Sequence, residues 1–345
     1  MKSGRREDRR TGYGDNTGVP KRFGRSVFMC TCITYENGSF YFGRNLDLDV
    51  SFGQRVVVTP RNFPLRFRTG GERERRDVGK HYAMIGMAAG EDRYPLYAEA
   101  VNEKGLCMAC LNFPGYAVYK KPEHGKKNIA SYELIPWILS VCASVREAEE
   151  MLKNVNITDE AFSAQMPPAP LHWMLSDRRE SLVIEPLSES VRIYENPVGV
   201  LTNNPPFEYH LHNLGHYLNV TARFPDNRFS KALGLAPCSA GTGGVGLPGD
   251  ASSASRFVRA AFLKWNSVSP PEEQADVAQV FHILEGTAMV RGTVVTEGGG
   301  YDRTWYTCCV NADTGVYCFR TYDDLRIQTV EMHSFELEGS RLSAI

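Results

Sequence analysis

The chain has 345 residues, 42% of them hydrophobic and 23% charged, with a formal net charge of −1. That length holds one large domain or two modest ones, with core enough to stand without disulfides. The near-neutral balance gives no pull toward nucleic acid or an anionic membrane surface, and no run of 18 apolar residues is present to form a membrane-spanning helix.

In chain order, residues 1–28 come first, with a net charge of +5 that leaves −6 for the remainder. They carry five glycines and no apolar periodicity, so residues 1–29 are expected to be a disordered basic leader, absent from or removed in the working protein. No apolar core follows the basic start, so this is not a secretory signal, and a cytoplasmic location is the default. From residue 31 the pattern alternates. "CITYENGSFYFGR" sets Asn37-Gly38 between two alternating runs and predicts a hairpin. "QRVVVTP" predicts a strand ended by Pro60, "RNFPLRFRTGGERERRD" an exposed loop, and "YAMIGMAA", "YAEAVNEKGLCMACLNF" and "GYAVY" further strands.

Apolar residues recurring at three and four predict one helix over 131–155. Three short strands follow in "LHWMLSD", "SLVIEPL" and "SVRIYEN". "SSASRFVRAAFLKW" predicts a helix with a capping serine, and "EEQADVAQVFHILEGTAMV" another. "RTWYTCCVNADTGVYCFRTY" predicts a closing hairpin and "RIQTVEM" a last strand. Strand and helix blocks alternate without a linker rich in Pro, Gly or Ser. The expectation is one α+β domain from residue 30 to 345, with helices covering the outer faces of antiparallel sheets.

Three motifs invite a site and favour a plainer reading. "GTGGVG" at 241–246 matches a dinucleotide-binding pattern, but Pro248 stands where the helix should open, so a glycine-rich loop is expected. His210, His212 and His216 have a spacing that could ligate a metal, yet no carboxylate cluster completes it, and surface histidines are expected. Cys107 and Cys110 form a lone C-x-x-C without a second pair, which reads as core thiols. The nine cysteines are an odd set on mostly apolar stretches, as in an intracellular chain that keeps them reduced.

Cys30 stands apart by position. If the bond before it is cleaved, one residue carries a thiol and a free α-amine. That amine, with an ordinary pKa of about 7.7–8.0, takes the thiol proton without a histidine. Arg44 and Asp47, beyond the Asn37-Gly38 turn, fold back beside it: arginine favours the thiolate, and aspartate holds the amine. A small core residue beginning a strand explains Cys30 equally well at this point.

The fragments "MCT", "FGRNLD", "VTPRNF", "NEKGL", "LNFPGYA", "APLHWMLSD", "VLTNNPPFEYHLHNL" and "GLPGDASSASRFVRAAF", in this order, resemble the choloylglycine hydrolase family. That family comprises bile salt hydrolases and penicillin V acylases, amidases with an N-terminal nucleophile. The resemblance runs from Cys30 to the C-terminus. It implies a four-layer αββα sandwich, a Cys30 nucleophile, Arg44 and Asp47 flanking its thiol and amine, oxyanion stabilisation by Asn112 and Asn203, and Arg256 tuning the nucleophile. Leu46, Phe63 and Phe162 match the loops that line the family's steroid pocket, although core packing explains them too.

The resemblance implies cleavage of glycine- or taurine-conjugated bile acids without metal or cofactor, in a homotetramer. Asn112 matches bile salt hydrolases, where penicillin V acylases typically show tyrosine. Two departures stand out. The spacing from Cys30 to Arg44 is shorter than in many members, which a shorter hairpin accommodates. The leader, whether an upstream start or a propeptide, leaves Cys30 without a free amine while it is attached. The alternatives are a penicillin V acylase or related amidase, an inactive unprocessed homologue that only binds bile acids, and a dinucleotide-binding oxidoreductase.

Overall fold

A computed structural model of the chain describes residues 29–68, 75–89, 94–270 and 272–345; the leader, apart from Met29, lies outside them. The first hairpin forms where Asn37-Gly38 predicts it. β1 (Met29–Asn37) runs antiparallel to β2 (Ser39–Leu48), and Gly38 turns the chain at φ +80°, a conformation glycine adopts without strain. These two strands sit inside a six-stranded sheet in the order 200–201, β1, β2, Arg303–Asn311, Val316–Thr321, Gln328–Glu331. The second sheet has eight strands: Val191–Glu195, Ser181–Pro186, Leu171–Ser176, Cys107–Asn112, Leu96–Asn102, Met84–Ala89, β3 (Gln54–Thr59) and Ser343–Ala344. Both are antiparallel throughout.

Five α-helices are described: α1 (Leu134–Leu139), α2 (Val145–Leu152), α3 (Phe207–Leu214), α4 (Ser253–Asn266) and α5 (Glu273–Glu285). Strand alternation decides what they cover. On β2, Gly43 and Asn45 face α5: a Cβ at Gly43 would come within 2.8 Å of Val280, and Asn45 Nδ2 donates to the Leu284 carbonyl at 2.7 Å. Arg44, between them, points the opposite way, to carbonyls of the eight-stranded sheet. On that sheet's far face, Met84, Met108 and Trp173 pack with Ile135, Ile138 and Leu139 of α1. The layers are therefore helix, sheet, sheet, helix, as expected, and Arg44 lies between the sheets.

Three local expectations differ. The helix expected over 131–155 is two helices. Asn102 Nδ2 donates to the carbonyls of Leu139 and Cys142, which ends α1, and Ser144 caps α2 by accepting from Glu147 N–H. In the expected exposed loop, Leu65–Arg68 pairs with Arg75–Val78, while Phe63, Leu65 and Phe67 are buried. Burying such side chains contributes about 1.5–3 kcal/mol each, which outweighs the exposure suggested by the arginines. "GYAVY" is not a strand; Phe113 stacks on Tyr116, and the Tyr119 hydroxyl donates to the Ala169 carbonyl at 2.6 Å.

Candidate active site

Cys30 is the second residue of β1, lies opposite Leu46, and is only 3% exposed. All its polar atoms are held. Arg44 Nη2 is 3.0 Å from the thiol sulphur, the Cys30 N–H donates to Asn203 Oδ1 at 2.8 Å, and its carbonyl accepts from Arg256 Nη1 at 2.5 Å. Arg44 reaches the thiol because residue 44 shares its strand face with Leu46. Asp47 has the opposite parity and sits across from Met29 in the ladder, beside the Met29–Cys30 peptide. Asp47 Oδ1 accepts from the Thr304 hydroxyl at 2.6 Å; Oδ2 is buried and has no partner among the described residues.

Arg256 and Asn203 are joined by the start of α4. Ser252 caps this helix, and the Ser253 hydroxyl accepts from Asn203 N–H at 2.9 Å. Arg256, one turn in, donates to Asn203 Oδ1 and to the Thr31 hydroxyl, both at 2.8 Å. Asn203 Nδ2 gives one hydrogen to the Asn112 carbonyl at 2.8 Å, which leaves its other N–H available. Cys30, Arg44, Asp47, Asn112, Asn203 and Arg256 are thus brought together and buried, although they come from four separate stretches of chain.

The electrostatics oppose one another. Burial pushes the Cys30 thiol up, while Arg44 and, more weakly, Arg256 pull it down. Burial lifts Asp47 to about 6 against the pull of Arg256 and the Thr304 hydrogen bond. Asp302, fully buried with neither carboxylate oxygen partnered among the described residues, is pushed up to about 8 by burial and then by Asp47.

Leu46 is buried at the site, paired across from Cys30. Phe63 packs into the apolar cluster with Leu65 and Phe67. Phe162 is half-buried, its ring centroid 6.0 Å from that of Tyr94 and 5.3 Å from that of Tyr132. His210 corrects the expectation of surface histidines: it is fully buried on α3, stacked 4.8 Å from Phe257, and its Nε2 is 2.9 Å from the Asn203 carbonyl oxygen. Burial lowers it to about 4, so it is neutral at pH 7 and Nε2–H donates to that carbonyl. His172, bonded to Glu185, reaches the neighbouring Thr202 carbonyl at 2.9 Å. Two imidazoles therefore fix the peptide that carries Asn203. The signal was present in the sequence: Phe207, His210, Leu211 and Leu214 recur at helical spacing.

His212 and His216 are exposed, as expected. The glycines at 241–246 form a short 3-10 turn without a strand before it, as a loop requires. Among the described residues, no group of three or more His, Cys, Asp or Glu is placed to hold a metal ion.

Comparison with known proteins settles the family. The pattern of "linear amide C-N hydrolases, choloylglycine hydrolase family" matches residues 30–344. The chain belongs to the choloylglycine hydrolase family. A bile salt hydrolase/transferase of Lactiplantibacillus plantarum is 47% identical over 314 residues, covering 91% of this chain and 95% of that protein. The crystal structure of a variant of the conjugated bile acid hydrolase from Clostridium perfringens superposes with a TM-score of 0.83 at 37% identity, covering 92% of this chain and 96% of that one. Penicillin V acylase from Agrobacterium tumefaciens, 19% identical with a TM-score of 0.70 over 92% of this chain and 90% of that one, shares the fold. As a choloylglycine hydrolase family member, the chain is a hydrolase of linear amide C–N bonds.

Proposed function

We propose that the chain is a bile salt hydrolase that cleaves the amide of glycine- or taurine-conjugated bile acids through Cys30. The observation that carries this reading is the set of contacts on Cys30: Arg44 on its thiol, Asn203 on its nitrogen and Arg256 on its carbonyl. With Cys30 N-terminal, its α-amine takes the thiol proton and the thiolate attacks the amide carbonyl. Asp47 Oδ2, without a partner among the described residues, accepts from the resulting ammonium in this reading. The free N–H of Asn203, with Asn112, steadies the oxyanion. The ammonium then gives its proton to the departing glycine or taurine nitrogen. Water cleaves the thioester, which releases the bile acid and restores the thiol.

Residues 30–345 act as one amidase domain in this reading, with Leu46, Phe63 and Phe162 contributing apolar surface to the steroid site. Assembly as a homotetramer is supported by the exposed apolar side chains of Leu218, Phe224, Phe229, Leu233, Leu235 and Val245. A cytoplasmic location fits the absence, among the described residues, of a helix long and apolar enough to cross a membrane.

The substrate is tested by assaying the chain begun at Met29 on glycocholate, taurocholate and penicillin V. Release of glycine or taurine is expected at a kcat/KM about tenfold or more above penicillin V hydrolysis. The reverse order would make the chain a penicillin V acylase. Binding of glycocholate without turnover would make it an inactive homologue.

A further inference from the structure

On Nη1 of Arg44, the nitrogen next to the one that meets the thiol, sits a carboxylate that the mechanism above does not use. Glu99, on the strand Leu96–Asn102, is 1% exposed. Four groups of the facing sheet converge on it. Its Oε2 accepts from the Tyr306 hydroxyl at 2.6 Å and from Arg44 Nη1 at 3.3 Å; its Oε1 accepts from the Tyr317 hydroxyl at 2.5 Å and the Cys308 thiol at 3.5 Å. Burial raises this carboxyl's pKa, and Arg44 with the Tyr306, Tyr317 and Cys308 donors pulls it back toward the ionised form. Yet Arg44 does not need it for aim: the carbonyls of Ala98 and Cys110 already hold Nη1 at 2.8 and 2.9 Å. What Glu99 adds is negative charge.

We propose that Glu99 is a positioning residue that draws part of the Arg44 field away from Cys30, keeping the thiolate basic enough to attack an unactivated amide. The proposal rests on the reading of Cys30 as nucleophile. Arg44 and, more weakly, Arg256 pull the Cys30 thiol down against the burial that raises it, and each increment of that pull weakens the thiolate's attack, because nucleophilicity falls as the thiol becomes more acidic. Cys30 is faced by Arg44 and Asp47 from β2 and by Arg256 from α4, with Cys32 on its own strand and Cys110 on the facing one. Glu99 is faced by Arg44, Tyr306, Cys308 and Tyr317. Among the described residues it is the carboxylate that forms an ion pair with Arg44, at 3.3 Å.

The test is the pH dependence of iodoacetamide alkylation of Cys30, read by peptide mass spectrometry in the full chain and in the chain begun at Met29. Glu99→Gln is expected to lower the alkylation midpoint by about one pH unit, and to slow the plateau rate at high pH about threefold. Because that variant leaves Arg44 a buried cation without its counter-charge, Tyr306→Phe/Tyr317→Phe is measured beside it. Losing two donors drives the Glu99 carboxylate toward its neutral form, so this variant lowers the midpoint in the same direction. A midpoint that stays put or rises in both variants overturns the proposal. If the wild-type chain begun at Met29 hydrolyses amides while both variants keep its midpoint, the role of Glu99 alone is wrong. A wild-type chain begun at Met29 without amide hydrolysis contradicts the nucleophile itself.

Discussion

Cys30→Ser is expected to lower kcat on glycocholate by about 10⁴-fold or more, the scale on which loss of a nucleophile acts elsewhere. Serine occupies nearly the same volume and can keep the Arg44 contact, now 3.0 Å to sulphur. Its hydroxyl is far less acidic than a thiol, so neither a guanidinium nor an α-amine generates enough alkoxide. The fold has no reason to change, because the strand pairing of residue 30 is made by backbone. The check is steady-state kinetics beside circular dichroism and thermal melting. Retained activity within tenfold of wild type would show that another group attacks.

Asn203→Ala should give the second-largest loss, about 10²–10³-fold in kcat, or about 2.7–4 kcal/mol of transition-state stabilisation. The loss falls on kcat more than KM, because the free Nδ2–H meets charge that develops only as the carbonyl becomes tetrahedral. The substitution also strips Arg256 Nη2 and the Cys30 nitrogen of their shared acceptor. Asn203→Asp separates the two effects: it keeps acceptor oxygens but places a negative charge beside the oxyanion, so kcat stays low while the melting temperature recovers relative to alanine. A rise in KM with unchanged kcat for both variants would move Asn203 from oxyanion stabilisation to substrate binding.

Much of this arrangement was legible in the sequence, for identifiable reasons. The first hairpin was readable because turn chemistry and alternation agree over residues 31–44, and α4 because its cap and periodicity agree. Cys30, Arg44 and Asp47 are legible from position and the hairpin, whereas Asn112, Asn203 and Arg256 come only from resemblance to a family, since Cys30 and Asn203 are 173 residues apart and no local rule joins them. The Phe63, Leu65 and Phe67 alternation carried a strand signal that the surrounding arginines and glycines outweighed. The spacing of Phe207, His210, Leu211 and Leu214 places His210 on an apolar helix face, but its partners, Phe257 and the Asn203 carbonyl, are set by the packing of α3 on α4 and are not legible locally. Glu99 gave no signal. It is one acidic residue in an apolar strand, and its tyrosines lie 207 and 218 residues away.

The central claim is that the α-amine of Cys30 is the general base. It is tested most directly by measuring glycocholate hydrolysis and intact mass together, for the full chain and for the chain begun at Met29. Hydrolysis is predicted only in preparations whose mass places Cys30 at the N-terminus. Equal turnover from a full chain whose mass proves it uncleaved would contradict the account.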